Sequence, residues 1–231
     1  MKTNLILLLL MILPFNAKAV DVEGNIIKAA IAANELGQHI DHAISDMKSN
    51  IPYKTTTEQY GPTLYRVRLE YKLSWTSGFS LQYQSYLVML ATSGQSTIYS
   101  DWEYLMRELG QKSSLAFHER QKLVHDYIGE DPSEFLPFHS LAQASAEKLV
   151  QSKLSPHRHL VGEHTLLIGR ASSINSSSIL FRFEVVSETN MTEGHQIFRQ
   201  YVIVVMQKDG NQMELFMDDP KYNNAFIGYD S

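Results

Sequence analysis

Three histidines and a glutamate crowd together late in the chain: His157, His159, His164 and Glu163. A His-x-His pair on a strand puts both rings on one face about 6–7 Å apart, a spacing that zinc uses. Counted along the same strand, Glu163 falls on that face and His164 on the other. The expected metal set is therefore His157, His159 and Glu163, with water completing the shell and a metal-assisted hydrolase as its chemistry. The plainer reading is a polar loop entering a strand after Pro156. Two further pairs, His39 with His42 and His118 with His125, lie one and two helical turns apart, and neither has a third ligand in reach of the pattern.

Serine chemistry offers a second test. Ser145-Ala-Glu-Lys148 fits S-x-x-K on a helix, with the lysine one turn from the serine, where it can act as base. Ser173-Ile-Asn175 and Lys208-Asp209-Gly210 follow in the order of the penicillin-binding enzymes. The third motif has Asp where Ser or Thr is needed, and Ser45-Asp-Met-Lys48 matches the first motif equally well, so the match is one of order and not of detail. G-x-S-x-G, H-E-x-x-H, the P-loop and G-x-G-x-x-G are all missing, and with no cysteine there is no thiol nucleophile.

Aromatic residues form the third group. Tyr65, Tyr71 and Trp75 share one parity of a strand, and Tyr83 and Tyr86 lie on the strand that returns beside it. Such a stripe is either a core face or the wall of a half-wet cleft, because tyrosine serves both. Read as a surface, Tyr65, Tyr71, Trp75, Tyr83 and Tyr86 would hold a partner protein or a small ligand.

The elements that must position these groups follow from periodicity. Ile27, Ile31, Ile40, Ile44 and Met47 recur at helical steps and predict a helix over 21–50, closed by Pro52. Leu64 to Trp75 alternates apolar and polar, a strand with one wet face, and Phe79 to Leu90 returns as its partner with Phe79, Leu81 and Tyr83 inward. A short third strand at 96–100 precedes a helical stretch from Asp101 to about Ile128, broken near Gly110, and a helix from Ser140 to Lys153. Four strands then follow over 164–171, 179–187, 196–207 and 212–217, the last two joined by Asp209-Gly210, the strongest hairpin signal in the chain.

Consecutive strands with short turns pair antiparallel, so the fold is α+β: about six or seven strands in meander hairpins packed against three or four helices. The helix-then-meander order resembles the cystatin-like and NTF2-like architectures, in element order alone; that resemblance implies a curved antiparallel sheet wrapped on a long helix and fixes no function. The order occurs twice, over 21–100 and 139–218, without a shared residue pattern. The expected organisation is a single domain over residues 20–231.

The leader bounds the function. Lys2, the apolar run Leu5 to Leu13, Pro14 and the Ala17-Lys18-Ala19 exit have the form of a secretory signal over residues 1–19. The run is shorter than the roughly 20 residues a membrane span needs. The chain is therefore expected to be periplasmic or secreted. Its net charge of −5, more negative once Lys2 and Lys18 leave, argues against nucleic acid and against a polybasic membrane anchor. Zero cysteines exclude a disulfide framework and a lipid-bearing cysteine at the cleavage site. These limits suit an exported non-enzymatic binding protein, of immunity or virulence type, with no cofactor. The alternative is the zinc hydrolase above.

Overall fold

The computed structural model describes residues 21–35, 52–75, 78–91, 93–112, 114–161, 164–191, 194–210, 212–217 and 227–230. Residues 1–19, read from the sequence as a secretory signal, the second half of the helix expected over 21–50, His39, His42 and Glu163 lie outside them.

Helix α1 (Val22–Glu35) leads into a four-strand antiparallel meander, β1 (Lys54–Gln59), β2 (Leu64–Trp75), β3 (Gly78–Leu90) and β4 (Ser96–Ser100). Helices α2 (Glu103–Gln111) and α3 (Phe117–Ile128) follow, then α4 (Leu136–Lys153), a short β5 (Arg158–Leu160), and a second antiparallel meander. Its strands are β6 (Leu166–Ser172), β7 (Ser178–Met191), β8 (Gly194–Gln207) and β9 (Met213–Met217). β5 shares β7 with β6, and β10 (Ile227–Asp230) shares β8 with β9. The chain is thus α+β, with antiparallel strands divided between two sheets and every strand pair among the described residues antiparallel.

The layers follow from strand parity. Val67, Leu69 and Tyr71 of β2 and Tyr86 and Val88 of β3 face Ile26, Ala30 and Ala33 of α1. Phe181, Phe183 and Val185 of β7 and Val202 and Val204 of β8 face Ala142, Ala146 and Val150 of α4. Both helices present alanine to their sheet, and a small side chain lets a helix backbone approach closely. The opposite faces of the sheets meet each other through Leu64, Leu87 and Tyr99 on one side and Leu180, Ile203, Val205 and Phe216 on the other. The order of layers is helix, sheet, sheet, helix.

The contact between sheets covers only part of the inner face of the second sheet. Farther along, Leu166, Ile168 and Tyr201 pack under Leu105, Met106 and Leu109 of α2 and Val124 of α3. Every residue from Ile179 to Val186 is therefore buried, on both faces, as expected of a covered central strand. The edge of β4 is closed by the loop after β6. The Ile98 N–H donates to Asn175 Oδ1 at 3.1 Å, and Asn175 Nδ2 donates to the Ser96 carbonyl at 2.6 Å.

Three expectations change. The polar face of β2 is not uniformly wet, since the second sheet covers its first half and buries Arg66 to 4 % exposure. The β2–β3 register places Tyr83 opposite Glu70 and Leu81 opposite Lys72, on the face away from α1, and so not with Val67 and Leu69. The last helix begins at Leu136 rather than Ser140, because Pro137 falls in its first turn, where the missing N–H has no partner to lose.

Candidate functional site

Six of the fully or nearly buried polar groups assemble into two clusters, each an acid between arginines. Between the sheets, Asp101 at the end of β4 takes Arg66 Nε on Oδ2 at 2.6 Å and Arg182 Nη1 on Oδ1 at 2.9 Å, with Glu58 Oε2 3.1 Å from Arg66 Nη1. Burial alone would raise the Asp101 carboxyl, but the two guanidiniums outweigh it and hold the group below the ordinary carboxylate range. Asp101 therefore does not cap α2, the role its sequence position suggests.

The second cluster lies under α3. Glu184 Oε1 accepts from Arg120 Nε at 2.9 Å and from Arg199 Nε at 3.1 Å, and Glu184 Oε2 accepts from Arg120 Nη2. Arg120 also donates to Tyr201 Oη at 3.1 Å and to the Leu109 and Lys112 carbonyls at 2.9 and 3.2 Å. Burial would lower Arg120, but its bond to Glu184 raises it; Arg199 is lowered by burial, and Tyr201 is raised by burial and by Glu184. Every group here is tied to another, which suits a brace between α3 and β7–β8.

A third arginine is placed differently. Arg170 on β6 pairs through Nε with Asp131 Oδ1 at 3.0 Å and donates from Nη2 to the carbonyls of Ile128, at 3.1 Å, and Glu130. Asp131 Oδ2 lies 2.7 Å from His139 Nδ1 on α4, whose ring stacks on Phe181. This chain fixes the loop between α3 and α4, which turns at Gly129 with φ of 69°. No described residue bonds Arg170 Nη1.

Around Arg170 lies a half-open cavity of about 350 Å³, walled by Trp102, Tyr127, Ile128 and Phe135. That volume lies within the range of small-molecule sites, roughly 300–1,000 Å³. Its walls come from the start of α2, the end of α3, the start of α4 and β6. Gly169 is what admits the Trp102 ring: a Cβ there would stand 2.8 Å from Trp102 Cε3. Of the lining residues Tyr127, 45 % exposed, is the wall on the solvent side. A second hollow of about 380 Å³, between Lys112, Leu115, His118, Glu119, Lys122, Leu123 and Asp126, is more open to solvent.

The residues singled out from the sequence lie elsewhere. Tyr71 and Tyr86 are buried under α1 at 1 and 0 % exposure, so they belong to the core and not to a docking surface. Tyr65 is half-buried on the same face, and Tyr83 is 44 % exposed on the opposite one, with the Arg68 guanidinium 4.2 Å above its ring. Trp75 ends β2, opposite Gly78. The five do not share one face of the sheet.

His157 sits in the turn before β5, outside the strand, because Pro156 delays the strand to Arg158. His159 is exposed on β5 with Nε2 2.8 Å from Glu188 Oε1, and His164 stacks on Phe117 at 4.6 Å between ring centres. Among the described residues no group of three His, Cys, Asp or Glu is arranged to hold a metal. Ser145 Oγ donates to the Leu141 carbonyl at 2.8 Å and Lys208 Nζ lies 3.2 Å from Glu134, so the serine-enzyme motifs have other partners.

The sequence reading passed over Trp102, Tyr127, Phe135 and Arg170. One signal was available: a lone charge inside an apolar strand, Arg170 in Leu166–Ser172 and Arg182 and Glu184 in β7, has to find a built partner. No family model, no curated protein and no solved structure matches this chain.

Proposed function

We propose that this chain is an exported, non-enzymatic binding protein that takes a small ligand in the cavity walled by Trp102, Tyr127, Ile128, Phe135 and Arg170. The observation that carries the reading is the combination in that cavity of three aromatic walls, one of them the half-exposed Tyr127, and a buried arginine with one nitrogen unengaged. The leader over residues 1–19 supplies the export half of the proposal. Among the described residues no helix is long and apolar enough to cross a membrane.

The test is native mass spectrometry of the chain expressed with its leader and isolated from the periplasm without chelator. The expected result is a mature chain beginning at Val20 that carries an organic adduct, or gains one when offered a library of small aromatic compounds. A bare monomer that gains nothing from such a library would overturn the small-ligand reading. Added mass of one zinc, lost in His159→Ala, would replace it with the hydrolase built on His157, His159 and Glu163.

A further inference from the structure

The geometry points to a definite ligand class for this cavity: a flat aromatic body carrying an acid group, the body held between Trp102, Tyr127 and Phe135 and the acid oxygen accepting from Arg170 Nη1. The inference rests on the small-ligand reading above and names the chemistry of its ligand.

The aromatic part follows from the walls. Three of the five lining side chains are aromatic and a fourth, Ile128, is aliphatic. Phe135 is 5 % exposed and is held by an edge contact to Phe181 with ring centres 6.0 Å apart, so it is a fixed wall. Trp102 is fixed in turn by its seat against Gly169. Rigid aromatic walls favour a planar guest, which stacks or packs edge-on without ordering flexible side chains. A volume of about 350 Å³ admits one or two fused rings and excludes a folded peptide.

The acid part follows from how Arg170 is held. Its Nε is against Asp131, its Nη2 is used by two carbonyls, and the guanidinium carbon sits 5.7 Å from the Phe135 ring centre. These four contacts, with Asp131 itself against His139, fix the plane of the guanidinium and leave Nη1 with no acceptor among the described residues. Arg170 is 8 % exposed and lines the cavity, so a guest there meets a largely desolvated guanidinium. A carboxylate or phosphate oxygen of the guest would meet it in a charge-assisted bond.

The experiment compares naphthalene-2-carboxylate with 2-methylnaphthalene on the exported chain by calorimetry and saturation-transfer NMR. The carboxylate is expected to bind roughly tenfold tighter, the difference a charge-assisted hydrogen bond makes. Tyr127→Ala should weaken both compounds alike, and Arg170→Gln, checked for an unchanged fold by circular dichroism, should remove the preference. Equal affinities that both fall in Tyr127→Ala would overturn the acid assignment and leave the cavity reading standing. No binding of either compound at about 1 mM, or binding that Tyr127→Ala leaves untouched, would overturn both; the weakest useful affinities for small ligands lie near that concentration.

Discussion

Arg120 and Arg170 are both buried arginines facing a carboxylate, at 1 and 8 % exposure, and they do opposite things. Arg120 has Nε, Nη1 and Nη2 all engaged, by Glu184, Tyr201 and two carbonyls, at 1 % exposure. Arg170 has two of its three nitrogens engaged and stands beside a cavity of about 350 Å³. The difference teaches that a buried charge is not by itself a sign of function. Completeness of its bonding separates a brace from a site, and one open nitrogen at a cavity is worth more as evidence than a fully bonded triad.

That comparison can be broken at its structural end first. Glu184→Gln should destabilise the fold by about 3–5 kcal/mol in chemical denaturation, since it leaves Arg120 and Arg199 buried around a neutral amide. A loss under about 1 kcal/mol would mean that the cluster is hydrated and does not brace α3 against β7–β8. Asp101→Asn should cost about 3 kcal/mol at neutral pH for the same reason.

Asp101 also gives a direction in pH. Its folded carboxyl is held below the unfolded value of roughly 3.9, so its contribution is fully present above that value and is lost as pH falls through the lowered one. The gap in melting temperature between the wild type and Asp101→Asn should therefore narrow in acid, below about pH 4. A gap that stays constant to pH 2 would show that the aspartate's charge is not what stabilises.

The cavity end is expected to respond more gently. Gly169→Ala forces a methyl against the Trp102 ring and should cost about 1–3 kcal/mol, with a shift in tryptophan emission as the ring is displaced. Unchanged emission would mean that Trp102 is not seated there. Tyr127→Ala, at the exposed rim, should change stability by no more than about 0.5 kcal/mol while weakening the guest, which separates a binding wall from a structural one.

Much of the architecture was legible from periodicity. The alternation in Leu64–Trp75, the apolar runs in β7 and β8, and Asp209-Gly210, which forms its turn with Gly210 at φ of 75°, each report a local rule that the chain obeys. The candidate site was not legible. Trp102, Tyr127, Phe135 and Arg170 come from four elements across 69 positions of sequence, and no spacing rule links them. The aromatic stripe misled for a related reason. Tyr71 and Tyr83 both alternate correctly along their own strands, but the register that decides which face each shares is set by the turn and the packing, and a shift of one residue exchanges the faces.

What this sequence determines alone is local. Its composition gives a cysteine-free acidic chain, and its hydrophobic periods give helices, strands and turns, because side-chain direction along one element depends only on backbone geometry. Tertiary structure decides which sheet covers which face, that Arg66, Arg182 and Asp101 meet between the layers, and that Arg170 is left one nitrogen short of full bonding beside an aromatic cavity. The physical reason is that burial and hydrogen-bond completion belong to pairs of groups distant in the chain, and no residue carries them until its partners arrive.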